Sequence, residues 1–149
     1  MHTDTWNELK MSSSSIFAAR HEHASVLDSR SNQIYTFGGI SCLDGTCSST
    51  LDDIYSLDTN LELWMKIDPK GDKMIPRAGH SAIKVPSSSI VYLIGGYFQS
   101  GTSIQDLNDV WSFDISDGTL ICFLSNYVFV TIYISSSMHN IYVYKYVCM

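Results

Sequence analysis

The sequence predicts an all-β protein built from a repeated unit. Residues 20–58 and 77–114 carry the same features in the same order: an arginine and a histidine, an apolar run, a glycine pair, and an aromatic segment bounded by aspartates. Corresponding residues lie 56 or 57 positions apart. The apolar runs are short and rich in β-branched and aromatic residues, which is typical of strands. A period this long indicates units that each bury a face against their neighbours.

The predicted strands follow from these runs. The first copy contains strands at residues 23–28, 33–38, 53–58 and 63–67, and the second contains strands at 80–85, 90–95 and 109–114. Upstream, Trp6 precedes Trp64 by 58 residues and has a similar sequence around it. Residues 1–19 are therefore predicted to hold the last strand of a preceding unit and a linker.

The repeat resembles the kelch repeat, which forms one four-stranded blade of a β-propeller. The resemblance rests on the glycine pair after an apolar strand, the aromatic residue after an Asp-rich loop, and the tryptophan six residues after the Asp that ends the next strand. It covers residues 5–117 and implies an incomplete kelch β-propeller, with about two four-stranded antiparallel blades plus one leading strand. The motif residues are Trp6, Arg20, His23, Gly38, Gly39, Tyr55, Trp64, Arg77, His80, Gly95, Gly96 and Trp111.

These residue types suit roles in building a blade. Glycines at the end of a strand allow positive φ or a close approach of other backbones. The aromatic residues supply large apolar area between blades. Arg20 and Arg77 are expected to bind backbone carbonyls or the aspartates of a nearby loop.

The pattern stops after Asp117. Leu120 stands where a third tryptophan is expected, and residues 119–149 contain no Asp, Glu or Gly. The predicted units are therefore blade one at 20–67, blade two at 77–117 without its fourth strand, and a non-kelch apolar tail at 118–149.

Three interpretations of the tail remain open. The first is a truncated or alternatively terminated product, such as read-through into non-coding sequence. The second is a membrane anchor, although polar residues interrupt the uncharged stretch 119–138 and leave it short of the roughly 20 apolar residues that a spanning helix needs. The third is a hairpin of residues 127–134 and 140–147, one strand of which could replace the missing fourth strand.

Composition excludes several classes of protein. A net charge of −6 with nine scattered Lys and Arg residues argues against nucleic acid binding. Residues 1–5 contain no apolar run, so no secretory signal is predicted and a cytoplasmic location is expected. Membrane association is not expected. A propeller closes with about four to eight blades, so two blades are expected to self-associate through their exposed faces.

The cysteines and histidines predict no metal site. Free thiols at Cys42 and Cys47 are favoured over a bridge between them, and a structural zinc site is disfavoured by the spacing of the cysteines. The segment 21–23, His-Glu-His, favours a structural role, since a metal needs a third converging ligand. Asp52 and Asp53 are interpreted as solvated loop carboxylates and not as calcium ligands. No cofactor and no catalytic residue are predicted.

The sequence therefore predicts a module that binds a protein partner without catalysis of its own. Alternating strand directions place the long connections 40–52 and 97–108 on one face, together with the links 10–19 and 68–76, and loops of this kind commonly carry binding residues. The candidate contacts are Leu43, Asp44, Tyr97, Phe98 and Gln99. The alternatives are a truncated product without independent function and a fragment of a metal-dependent kelch-type enzyme related to galactose oxidase.

Overall fold

The computed structural model describes residues 17–43, 46–124, 128–134 and 141–147, and these residues form strands and turns without any helix. The strands, in chain order, are β1 Arg20–His21, β2 Ala24–Asp28, β3 Gln33–Phe37, β4 Ile40–Leu43, β5 Thr46–Thr50, β6 Ile54–Asp58, β7 Leu63–Ile67, β8 Lys70–Gly71, β9 Ser81–Lys84, β10 Ile90–Ile94, β11 Tyr97–Ser100, β12 Ser103–Asp106, β13 Val110–Asp114, β14 Thr119–Leu124, β15 Val128–Ile134 and β16 Ile141–Val147.

Blade one is the antiparallel sheet β2-β3-β6-β7. Its first strand, β2, alternates between buried and exposed residues: Ala24, Val26 and Asp28 are buried, and Ser25 and Leu27 are exposed. This period of two is what a strand with one covered face requires. The strand bounds agree with the sequence-based bounds to within one residue at each end.

Blade two is the sheet β9-β10-β13-β14, extended by β8 along the outer edge of β14. The prediction that this blade lacks a fourth strand was wrong, because β14 pairs antiparallel with β13 over its whole length. The predicted boundary at residue 117 was therefore wrong as well, since kelch-like structure continues to residue 124.

Leu120 stands where the sequence pattern predicts a tryptophan, and this substitution led to the wrong prediction that the fourth strand is missing. The side chain of Leu120 is 1% exposed and belongs to the apolar core, and Cys122 on the same face of β14 packs against that core. Ile121 and Phe123 point the other way and are exposed. A smaller apolar residue thus fills the place predicted for the tryptophan, and β-branched and aromatic neighbours keep the segment extended.

The core lies between the two blades. Blade one contributes Tyr35, Phe37 and Ile54, whose neighbours across the interface include Leu93 and Phe113 of blade two. The Phe37 and Phe113 rings meet edge to face with centroids 5.7 Å apart. This is the preferred geometry for an aromatic pair, so the contact stabilises the blades beyond the area that it buries.

The long connections within each blade are hairpins and not irregular loops. Strands β4 and β5 form the hairpin of blade one, and β11 and β12 form that of blade two. The two hairpins join through β5 and β11, and with β1 they make the five-stranded sheet β1-β4-β5-β11-β12. We call this the hairpin sheet. It connects one blade to the next on the face predicted to bind a partner.

The C-terminal strands β15 and β16 pair with each other over seven residues. This is the pairing that the hairpin interpretation of the tail predicts, but neither strand takes the place of a fourth strand in blade two. Among the residues that the structure describes, no helix is long and apolar enough to cross a membrane.

Candidate functional site

Arg77, just before the first strand of blade two, binds three separate parts of that blade. We call this set of contacts an arginine clamp. The Arg77 side chain is fully buried, and its guanidinium donates two parallel hydrogen bonds to the Asp109 carboxylate, of 2.7 and 2.8 Å. A third bond goes to the carbonyl oxygen of Gly95 at 2.9 Å. The indole nitrogen of Trp111 donates to the same carboxylate at 2.7 Å. The clamp therefore ties the glycine pair, the Asp-rich loop and the aromatic strand to one cation.

Blade one repeats this clamp with Arg20. Its guanidinium binds both carboxylate oxygens of Asp53 and the carbonyl oxygen of Gly38. The guanidinium also lies over the rings of Phe17, at 4.4 Å from the centroid, and Tyr55, at 5.3 Å. The expected partners of the arginines are thus present, while the interpretation of Asp53 as a solvated carboxylate was wrong. Asp52, beside it, is exposed.

The clamp sets the charge state of Asp109. Burial alone would raise the pKa of this carboxyl, but hydrogen bonds from Arg77 and Trp111, together with the Arg77 charge, hold its pKa below the usual value. Asp109 is therefore ionised when the blade is folded, and the Arg77–Asp109 pair stays charged inside the protein.

The glycine pairs lie where other backbone atoms approach them. A Cβ atom on Gly96, whose φ is +91°, would stand 2.5 Å from the carbonyl oxygen of Ala78 and 2.8 Å from Cβ of His80. In blade one a Cβ on Gly38 would stand 2.6 Å from the carbonyl oxygen of Arg77. Both reasons that predicted these glycines, positive φ and close approach, are therefore visible at the same positions.

His80 is buried at the junction of the two blades. Its Cε1 atom lies 3.3 Å from the position that a Cβ on Gly38 would occupy, so the ring packs on the glycine pair of blade one. Burial, followed by the charges of Arg77 and His23, lowers the pKa of His80 to about 4. His80 is therefore neutral near pH 7. Its counterpart His23 is exposed, and burial and then Arg20 also lower its pKa.

Tyr97 joins the hairpin of blade two to blade one. Its hydroxyl donates to the Glu22 carboxylate at 2.7 Å, and its ring packs against the backbone of Gly79. This hydrogen bond raises the pKa of the Tyr97 hydroxyl. Close by, the Thr50 hydroxyl and the backbone of Gln99 are linked by two hydrogen bonds of 3.2 and 3.3 Å. Sequence reasoning missed Glu22 as a partner, because its only signal was one carboxylate 75 residues from the tyrosine.

The residues predicted to contact a partner fall into two groups, those that the structure describes and those that it does not. Tyr97, Phe98 and Gln99 are half-buried residues of β11, and their backbones are paired with β12. Asp44 and the side chain of Leu43 lie outside the described part of the chain, as does Trp6. Among the side chains of the hairpin sheet that the structure describes, the most exposed apolar one belongs to a residue that the sequence did not single out: Ile104 on β12, at 65% exposure.

Cys42 and Cys47 form a disulfide across the hairpin of blade one, so the expectation of free thiols was wrong. The reason is the register of β4 and β5, which places the two residues directly opposite with Cα atoms 4.3 Å apart. His21 lies beside them, and one ligand atom of each of the three residues falls within 4.8 Å of the others.

A pocket of about 350 Å³ lies where the linker between the blades meets blade two. Met74 and Leu120 give it a buried apolar wall, and Asp52, Asp68 and Asp72 are exposed residues around it. Since Lys66 and Lys73 also line the pocket, its charge is mixed.

Residues 1–127 match the KLHDC2/KLHL20/DRC7 Kelch-repeats domain family, which is most of the chain. The chain belongs to the kelch-repeat family. The human protein Host cell factor 2 is 33% identical over 82 residues, which are 52% of this chain and 9% of that protein. Among solved structures, YjhT matches with a TM-score of 0.56 and 17% identity over 72% of this chain and 38% of that chain. The kelch chain therefore spans only part of both relatives.

The kelch assignment explains the repeated clamps. Each pairs the arginine at the start of a blade with an aspartate before its third strand, and together they hold the glycine pairs of both blades in place. Kelch-repeat domains are typically protein-interaction modules.

Proposed function

We propose that this chain is a protein-interaction module that binds a protein partner through the hairpin sheet and the linker 68–76, without catalysis of its own. The observation that carries the proposal is the hairpin sheet itself. Two connections that would otherwise move independently are joined by strand pairing into one surface across both blades.

Rigidity favours binding by this surface. A hydrogen bond between Ala78 and Tyr97 in each direction, both of 2.9 Å, fixes the base of one hairpin. The Tyr97–Glu22 bond and the disulfide restrain the rest. A surface held in one conformation before binding loses less conformational entropy when it captures a partner.

The outer strand of the hairpin sheet is the proposed centre of contact. All four residues of β12 are exposed, and within the described residues no strand pairs with its outer edge. An edge of this kind offers unpaired backbone donors and acceptors to an extended segment of a partner. Ile104 adds an apolar side chain to that edge, while Phe98 and Gln99 lie on the neighbouring strand.

A photo-crosslinking amino acid placed at position 104 tests the proposal in cells. The matched control is position 61, because Leu61 is 68% exposed, similar to Ile104, and lies in the turn after β6 on the opposite face. We expect position 104 to cross-link a discrete protein partner and position 61 to cross-link none. Ile104→Asp should abolish co-purification of that partner, whereas Leu61→Asp should leave it intact. A partner captured only from position 61 would overturn the proposal.

A further inference from the structure

Three side chains with metal-binding atoms converge at one end of the hairpin sheet. The cysteines 42 and 47 face each other across β4 and β5, and β1 brings His21 alongside through its pairing with β4. Their ligand atoms lie within 4.8 Å of one another. Around tetrahedral zinc, with bonds of about 2.0–2.3 Å, neighbouring ligand atoms lie roughly 3.5–4 Å apart. In the disulfide the two sulfur atoms are bonded to each other, so reduction must let them separate to this spacing, while His21 already lies within 4.8 Å of both.

We propose that the reduced chain binds zinc through His21, Cys42 and Cys47, and that the disulfide and the zinc site are two alternative states of one hairpin. This inference goes beyond the proposed partner binding and does not depend on it. Thiolate and imidazole are the ligands that zinc prefers in proteins. Four residues separate the two cysteines, which is at the upper end of the spacing common in zinc sites. The spacing that disfavours zinc in the sequence is that of a site of four cysteines, because Cys122 and Cys148 lie far along the chain, whereas here His21 is the third ligand.

The step from the disulfide to the zinc-bound state balances chemically. A phosphine reductant takes the oxygen of one water molecule and becomes a phosphine oxide, while the disulfide gains two electrons and the two protons of that water. The sulfur–sulfur bond breaks and two thiols form. Zinc then displaces both thiol protons to solvent and forms two zinc–sulfur bonds and one zinc–nitrogen bond, and water takes the fourth position. His21 and Cys47 are exposed, so the ion reaches them from solvent.

Glu22 positions the histidine for this role. One of its carboxylate oxygens lies 3.4 Å from Nδ1 of His21. We therefore assign Nε2, the other ring nitrogen, as the zinc ligand. Metal-bound histidines commonly hold their second ring nitrogen against a carboxylate in this way. The other oxygen of Glu22 accepts the hydrogen bond from Tyr97. The site in blade one is thereby connected to the hairpin of blade two.

Cobalt titration of the full chain tests the inference. The protein is reduced with a phosphine, stripped of metal with a chelator, and titrated with Co²⁺ without oxygen. We expect thiolate-to-cobalt charge-transfer bands and the visible bands of a tetrahedral site, saturating at one ion per chain and abolished by added zinc. The protein that keeps its disulfide should show none of these bands.

Four variants identify the ligands. Cys42→Ser and Cys47→Ser should each lose the charge-transfer bands, and His21→Ala should lose the tetrahedral spectrum. Glu22→Gln should keep the spectrum but weaken zinc affinity by about tenfold, the low end of the range for partners of metal-bound histidines. Circular dichroism of each variant, measured under the same reducing conditions, separates loss of metal binding from loss of the fold.

The matched control is Cys122→Ser, because Cys122 lies on β14 and not on the hairpin sheet. This variant should retain both the bands and the affinity. The inference is overturned if the reduced chain binds no cobalt, if the bands persist after both hairpin cysteines are replaced by serine, or if they require Cys122.

Discussion

Removing the Asp109 carboxylate tests whether the buried clamp stabilises blade two. In Asp109→Ala the Arg77 guanidinium keeps its bonds to the carbonyl oxygens of Gly95 and Ile75 but loses both bonds to the carboxylate. The indole N–H of Trp111 loses its acceptor as well. Because the Arg77 side chain is fully buried, water cannot replace the lost charge.

The expected loss follows from that burial. Leaving one partner of a buried ion pair without its counter-charge typically costs about 3–5 kcal/mol. Since domains of this size unfold with about 5–15 kcal/mol, the variant should lose a large share of its stability. Chemical denaturation of the full chain, followed by tryptophan fluorescence, measures the change in the free energy of unfolding.

Three comparisons make the result decisive. Asp53→Ala should cost less, because the Arg20 guanidinium that it leaves unpaired, although only 1% exposed, still lies over the rings of Phe17 and Tyr55. Asp52→Ala, at an exposed neighbour, should change the free energy of unfolding by no more than about 0.5 kcal/mol. Replacing both clamp residues, as Arg77→Met with Asp109→Leu, should recover much of the loss since no unpaired charge remains. If Asp109→Ala costs no more than Asp52→Ala, the reasoning is refuted.

Two further predictions concern the junction of the blades. Gly96→Ala should destabilise the protein far more than Gly101→Ala, because both glycines have positive φ but only the Cβ at position 96 would meet backbone atoms; equal melting temperatures would contradict this. As pH falls from 6.5 towards 4, His80 should lower the stability progressively, because it binds a proton in the unfolded chain but stays neutral when buried. In His80→Gln the slope of stability against pH over this window should become shallower, with the remainder due partly to His23, and an unchanged slope would exclude His80 as a cause.

The sequence predicted the blades because their strands are local. Each strand has an apolar pattern within its own residues, and the same pattern occurs in both copies of the repeat. The bounds of each strand can therefore be predicted from the residues of that strand. The partners of the arginines were also predicted in kind, because few acceptors other than carbonyl oxygens and aspartates lie near a guanidinium at that position. Asp53 and Asp109 occupy equivalent positions in the two copies of the repeat. This equivalence could have identified Asp53 as the partner of Arg20 and Asp109 as the partner of Arg77.

What the sequence did not predict depends on contacts between distant segments. The hairpins of the two blades contain polar residues such as Ser49 and Ser100, which look like loop residues and yet pair across the blades. Leu120 replaced an expected tryptophan and so concealed the fourth strand of blade two. The disulfide depends on the register of one hairpin, which a bulge after Ser41 shifts by one residue. No local pattern contains that shift.

Main-chain hydrogen bonds beside the hairpin sheet also make the two blades unfold together. In repeat proteins the coupling between neighbouring units comes from their shared interface, so a weak interface lets one unit open while the next stays folded. Here the backbone of Arg77 exchanges hydrogen bonds with Leu51 and Gly39, and that of Gly79 binds Glu22, so blade two cannot detach without breaking main-chain bonds of blade one. Amide protons in both blades should therefore exchange with solvent through one shared opening event, as a single cooperative unit.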